Sequence, residues 1–159
     1  VENDALFDAL ETGVVKRYIT DFGTEELLNK PNVTVFPHVG GSTSEAELNC
    51  AIMAAQTIRR FMETGEIVNS VNFPRVQQVL SAPYRITLIN KNVPNIVARI
   101  STAVSDFNIN IDNIINRSKG EYAYTLLDLD ETDKSKIDEL VAKFEASDNI
   151  VRVRLIKGK

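Results

Sequence analysis

The chain is poor in the residues from which many sites are built: its 159 residues include one cysteine, one histidine and no tryptophan. The single Cys50 excludes an intramolecular disulfide, and with a single histidine there is no plausible zinc set, so no metal is expected. Cys50 sits among Leu48, Ala51 and Ile52 in a helical pattern and reads as a buried, inert thiol. No apolar run approaches the ~18 residues of a membrane span, and the opening residues lack the basic-then-apolar signal pattern. Neither membrane insertion nor export is expected, and the cytoplasm is the expected compartment. No glycine-rich nucleotide loop occurs anywhere upstream of His38. Excess positive charge is missing too: residues 1–83 carry 6 basic and 11 acidic side chains, residues 84–159 carry 12 and 11, and the net charge is −4. A phosphate backbone calls for clustered positive charge, so no nucleic-acid partner is expected.

What remains is ordinary globular material, 43% hydrophobic and 25% charged, enough for one domain or two small ones. In "ENDALFDALETG" the apolar Ala5, Leu6, Ala9 and Leu10 recur at helical spacing, Asn3 or Asp4 can cap the helix and Gly13 can stop it. The strands "VVKRYITDF" and "NVTVF" follow, making a piece of an α/β sheet. In such sheets ligands collect at the carboxyl ends of the strands, where Asp21 and His38 both fall.

The next helix is predicted from about Thr43 to Thr64: Leu48, Ile52, Ala55, Ile58 and Met62 repeat at steps of three and four until Gly65. Ser42 with Glu45, or Ser44 with Glu47, supplies a capping box. Gly40 and Gly41 precede a helix N-terminus, where free N–H groups favour an anion or polar group and glycine permits close backbone approach. Taken alone, two glycines also suit a turn, and a lone histidine also suits a surface or capping position.

Residues 1–74 as a whole, and "TDF", "PHVGGST" with its acidic helix, and "NSVNFP" in particular, resemble the end of the catalytic part of the phosphoglycerate-oxidising D-2-hydroxyacid dehydrogenases. The resemblance implies the end of a Rossmann-type domain and NAD as cofactor of the intact enzyme, with the phosphate-binding loop lying before Val1. It implies that His38 is the general acid/base that exchanges a proton with the 2-hydroxyl, a task suited to imidazole, which titrates near pH 6.5. It places the carboxylate that orients this histidine at Glu25, with Glu26 as the alternative because "DFGTEE" is one residue shorter than the commoner spacing. Asp21 matches an aspartate that contacts the nicotinamide carboxamide, and Gly40 and Gly41 match backbone lining the same pocket. The piece alone is expected to be inactive.

After Pro74, "RVQQVLSAP" reads as a linker over residues 75–83, and residues 84–159 as a new unit. "YRITLIN" alternates as a half-buried strand, and Pro94 suits the first turn of a helix aligning Ile96, Val97, Ile100, Val104 and Phe107. "INIDNIINRS" and "EYAYTLLDLD" meet at Lys119-Gly120, a helix carries Ile137, Leu140, Val141 and Phe144, and "IVRVRLI" closes the chain. The order βαββαβ predicts an α+β ferredoxin-like domain, a four-stranded antiparallel sheet with two helices on one face.

Three function classes share that fold. An RNA-binding domain fits poorly, since Glu121 in "KGEYAYTLL" occupies an aromatic position. A small enzyme lacks means, because residues 84–159 contain neither histidine nor cysteine. Residues 84–157 resemble an ACT domain, a regulatory module that binds an amino acid between two copies paired side by side. That resemblance implies a homo-oligomer, dimer or tetramer, and an amino-acid effector such as L-serine. Asn92 and Asn110 match the two asparagines of a serine site, Asn90 stands where that pattern has histidine, and Asn95 where it has glycine. Amide side chains can meet both carboxylate and ammonium, and the same asparagines also suit turns and caps. Two alternatives stand beside this reading: an ACT domain that only assembles subunits, and a stand-alone amino-acid sensor.

Overall fold

The computed structural model describes residues 1–158 and divides into two compact units, Val1–Ile52 and the residues from Met53 onward. In the first unit, helix α1 (Asn3–Glu11) is followed by strand β1 (Tyr18–Thr20), a 3-10 turn at Glu25–Leu27 and strand β2 (Val33–Val35). The strands pair in parallel, Tyr18 with Val33 and Thr20 with Val35. Glu2, not Asn3 or Asp4, holds the capping position of α1 and gives it no side-chain bond. The Asn3 amide instead donates to Glu26 Oε2 at 2.6 Å. Gly13 ends this segment with φ +74°, a backbone setting that glycine adopts without strain. Only Leu6 and Leu27 are buried hydrophobics here.

Helix α2 (Ser44–Thr64) contains the boundary between the units. Its cap is Thr43, whose Oγ1 accepts from the Ala46 N–H at 3.1 Å, so neither serine–glutamate box forms. Gly65 stops it with φ +71°. No α2 residue is buried, and Cys50, expected as a buried thiol, is exposed. The apolar stripe of α2 is real in sequence but has no core to face among the described residues.

The second unit contains β3 (Tyr84–Lys91), α3 (Ile96–Asp106), β4 (Asn110–Lys119), β5 (Tyr122–Asp130), α4 (Lys134–Glu145) and β6 (Ile150–Lys157). The strands are antiparallel in the order β4-β5-β3-β6. Residues of alternating parity sort to the two faces. Ile86, Leu88, Leu127 and Leu129 meet Ile100 and Val104 of α3 and Ile137, Leu140 and Phe144 of α4. Burial of such side chains contributes about 1.5–3 kcal/mol each. Asp133 caps α4, its carboxylate accepting from the Ser135 N–H at 2.9 Å.

The opposite face of the sheet is covered as well. Ile67 and Val76 pack with Tyr124 and Leu126, supported by Phe73, Ile89 and Ile115. Hence β3 is buried on both faces rather than one, with Arg85 and Thr87 hidden beside Ile86 and Leu88. Residues 75–83, read in the sequence as a linker, run along this face and bury Val76 and Ala82. No helix among the described residues is long and apolar enough to cross a membrane.

Candidate functional site

Parallel pairing aligns the carboxyl ends of β1 and β2, and each strand delivers a polar side chain just beyond that end. Asp21 comes directly after Thr20, and His38 comes after Val35 across Phe36 and Pro37. His38 Nδ1 lies 2.7 Å from Asp21 Oδ2. An ionised carboxylate only accepts, so this contact places the proton on Nδ1 and leaves Nε2 of the neutral ring as the acceptor nitrogen. The histidine side chain is 61% exposed and its aspartate partner 34%, so Nε2 is open to an incoming group. The Phe22 ring stands at 4.5 Å from the imidazole, centroid to centroid, and limits its swing.

The turn after β1 that aims Asp21 is locally determined. The Phe22 N–H donates to Thr20 Oγ1 at 3.0 Å, and the Phe36 N–H donates to the Thr20 carbonyl at 3.1 Å. Gly23 is required here, because an added Cβ would collide with the Val35 side chain. Its signal in the sequence is only a glycine two residues after an aspartate, and sequence reasoning passed over it. Gly40 and Gly41 behave differently: a Cβ at either would meet nothing within 4 Å, and neither has a positive φ. The chain's own contacts therefore do not demand glycine at these positions, and open space remains in front of α2.

The carboxylate expected beside His38 was Glu25. In the structure Glu25 opens the 3-10 turn, Glu26 is held by Asn3, and Asp21 makes the bond to the imidazole. Asp21, expected at the cofactor, retains Oδ1 as a second acceptor beside the one given to His38. Among the described residues no group of three or more metal-ligating side chains occurs.

Of the four asparagines expected at an effector site, Asn90, Asn92 and Asn95 lie at and just beyond the end of β3, and Asn110 lies at the other end of the sheet. Asn90 is fully buried: its Nδ2 donates to the Lys91 carbonyl at 3.0 Å, and its Oδ1 accepts from Thr125 Oγ1 at 2.9 Å. Asn116 Nδ2 donates to the same Thr125 oxygen at 2.7 Å, completing a closed polar chain that the sequence did not reveal. Asn92 is exposed at the end of β3, where Nδ2 donates to the Gly120 carbonyl at 3.0 Å. Asn95, also exposed, takes a left-handed backbone, φ 63° and ψ 10°, at the start of α3. Asparagine tolerates that conformation better than most residues, so the turn survives without glycine. Asn110 opens β4 opposite Asp130, whereas Asn92 lies by the hairpin that follows Lys119. At ~3.3 Å per residue the ten-residue strand puts roughly 30 Å between them.

The sheet order with both helices on one face makes the second unit a ferredoxin-like fold. No family model matches the chain. Across 84% of its length it is 33% identical to D-3-phosphoglycerate dehydrogenase 2 of Saccharomyces cerevisiae and 26% identical to D-3-phosphoglycerate dehydrogenase of Escherichia coli K12. These alignments take in 29% and 32% of those proteins, so the chain spans less than a third of the curated relatives it matches. Among solved structures, the ACT domain of the Chlorobium tepidum GTP pyrophosphokinase aligns with TM-score 0.42 and 18% identity, over 46% of this chain and 95% of that one. The chain is thus a relative of the D-3-phosphoglycerate dehydrogenases.

Proposed function

We propose that this chain is the C-terminal portion of an NAD-dependent D-3-phosphoglycerate dehydrogenase that works in the cytoplasm and oxidises 3-phosphoglycerate to 3-phosphohydroxypyruvate in serine biosynthesis. Residues 1–74 end its catalytic part and residues 84–159 form its amino-acid-sensing domain, joined by residues 75–83. The Asp21–His38 pair at 2.7 Å, at the carboxyl ends of two parallel strands, carries this reading.

His38 Nε2 accepts the proton of the 2-hydroxyl as that carbon becomes a carbonyl, and returns it in the reverse reaction. Asp21 fixes the ring and its tautomer and favours the imidazolium that forms. When bound, NAD supplies the hydride acceptor. The residues present fit its nicotinamide end, with open space at Gly40 and Gly41 and an acceptor at Asp21 Oδ1. The phosphate-cradling loop is absent from the sequence, so the isolated piece neither binds NAD tightly nor turns over.

The ACT unit binds an amino acid, L-serine in this reading, between two copies. Asn92 and Asn110 lie too far apart in one chain to share a small ligand, so a site using both takes one from each copy. Binding that favours one arrangement of the intact enzyme over another would slow catalysis.

The test is steady-state kinetics of the intact enzyme with His38→Ala, Asp21→Asn and Glu25→Gln. The reading expects His38→Ala to abolish most of kcat with KM little changed. Asp21→Asn should lower kcat and move the pH profile, and Glu25→Gln should do less than either. Retention of full kcat by His38→Ala would overturn the proposal. A larger effect for Glu25→Gln than for Asp21→Asn would return the orienting role to Glu25.

A further inference from the structure

Arg85 and Asp128 form the most enclosed charged pair among the described residues, with side-chain exposures of 0% and 1%. The pairing is bidentate: Nε donates to Oδ1 at 2.5 Å and Nη2 to Oδ2 at 2.7 Å. The remaining donors leave the sheet. Nη1 reaches the carbonyls of Thr64 and Gln78 at 2.8 and 2.9 Å, and Nη2 reaches that of Val79 at 3.2 Å. The five N–H groups of the guanidinium are therefore all spent, two on β5 and three on backbone outside the sheet.

Those backbone targets are connected. Thr64 is the last residue of α2, whose final carbonyls have no partner within the helix. Neighbouring carbonyls are held from the same sheet: Tyr124 Oη donates to Gly65 O at 2.7 Å, and Arg154 of β6 donates to Phe61 O at 2.8 Å and also to Met62 O. Further along, Ile67 and Val76 bond each other's backbone, and Glu66 accepts from the Gln78 N–H at 2.8 Å. Three strands thus hold one end of α2 and the segment immediately after it.

We propose that Arg85 and Asp128 are a latch that makes the last turn of α2 and residues 65–79 move with the sheet, so that displacement of the sheet is delivered into α2 instead of being absorbed in a flexible joint. Isolated buried ion pairs contribute little net stability, whereas one whose spare donors bind another segment fixes where that segment lies. Lysine could keep the charge but lacks the fork that reaches both the carboxylate and the carbonyls. The delivery step rests on the sensor reading proposed above; the latch itself does not.

The test is residue-resolved amide hydrogen exchange on this 159-residue chain. Arg85→Lys and the double variant Arg85→Met/Asp128→Leu are compared with the parent sequence. The double variant removes both charges together, so no uncompensated charge is buried. The latch predicts that the Ile67, Val76 and Gln78 amides exchange at least about tenfold faster in both variants, while amides of β3 and β5 change less than about threefold. An equal change everywhere, no change anywhere, or failure of both variants to fold would each overturn a separable latch. Adding L-serine to the parent chain tests the delivery: shifts at Asn92 and Asn110 should be accompanied by shifts at Ile67 and Val76. Shifts confined to the asparagines would overturn delivery. An absence of any shift would count against serine sensing and leave the exchange experiment to decide the latch.

Discussion

Residues 1–52 and the residues beyond them are built to different standards of self-sufficiency. The first unit holds the Asp21–His38 pair yet buries only Leu6 and Leu27, and it leaves Ile19, Phe22, Leu28 and Phe36 exposed. Its strands are three residues long and pair only with each other. The second unit buries both faces of its central strands β3 and β5 and satisfies the enclosed Arg85–Asp128 pair completely. The difference teaches where each kind of order comes from. The geometry of the pair rests on one strand register and one crowded turn, whereas the sheet unit rests on a contiguous core.

The largest effect that would sharpen this contrast is catalytic. For the dehydrogenase proposed above, His38→Ala is expected to lower kcat about 100- to 10,000-fold while leaving thermal unfolding of the second unit unchanged. Differential scanning calorimetry beside the rate assay checks both halves of that statement. Stability should divide the other way. Leu127→Ala, at a fully buried site, is expected to cost about 2–5 kcal/mol by urea denaturation, while Leu48→Ala on exposed α2 should stay within about 0.5 kcal/mol. Equal costs at the two sites would break the comparison.

Smaller effects probe the second face. Burial pushes the Tyr124 hydroxyl above its ordinary pKa of 10.0, against the lowering influence of Thr87, Arg154 and Arg85. A raised folded value means that the unfolded chain gives up this proton first. The contribution is therefore complete below pH 10 and is lost as pH rises through the folded value. Tyr124→Phe should cost about 1 kcal/mol at neutral pH, through the lost bond to Gly65, and should flatten the alkaline decline measured by urea midpoints. Asp133→Ala removes the cap of α4 and is expected to cost about 1 kcal/mol. Glu131 gives the smallest change. The Asp133 N–H, then Lys136 and the Thr132 N–H, hold its carboxyl below the ordinary 4.5, so its contribution is present above that pH and fades as pH falls through the lower folded value. Glu131→Gln should therefore flatten the acid limb of the stability profile slightly.

Much of this was legible in the sequence. Period-two and period-3.6 patterns with Pro94, Gly65 and Gly120 marked the sheet, its helices and the ends of α2, because those signals are local. The Asp21 and His38 positions were legible as strand ends, since any parallel pair brings them together. Three features were not. The capping hydroxyl of α2 is Thr43, one of three neighbouring hydroxyl residues that the sequence pattern does not tell apart. Arg85 looked like the solvent side of a half-buried strand, because nothing near it in sequence announces that Thr64, Gln78, Val79 and Asp128 converge on its guanidinium. Asn90 looked like a ligand group, and only the fold brings Thr125 and Asn116 to it.

The most direct test of the contrast is limited proteolysis of the 159-residue chain with trypsin, the first cuts being read by mass spectrometry. Lys16 and Arg17 lie between α1 and β1, in the unit with almost no core, and Arg75 adjoins buried Val76, which is bonded to Ile67. The account predicts early cleavage after Lys16 and Arg17 and a persistent product in which Arg75 stays joined to Val76. First cleavage after Arg75, releasing the sheet from everything before it, would contradict the account and make residues 75–83 the flexible joint.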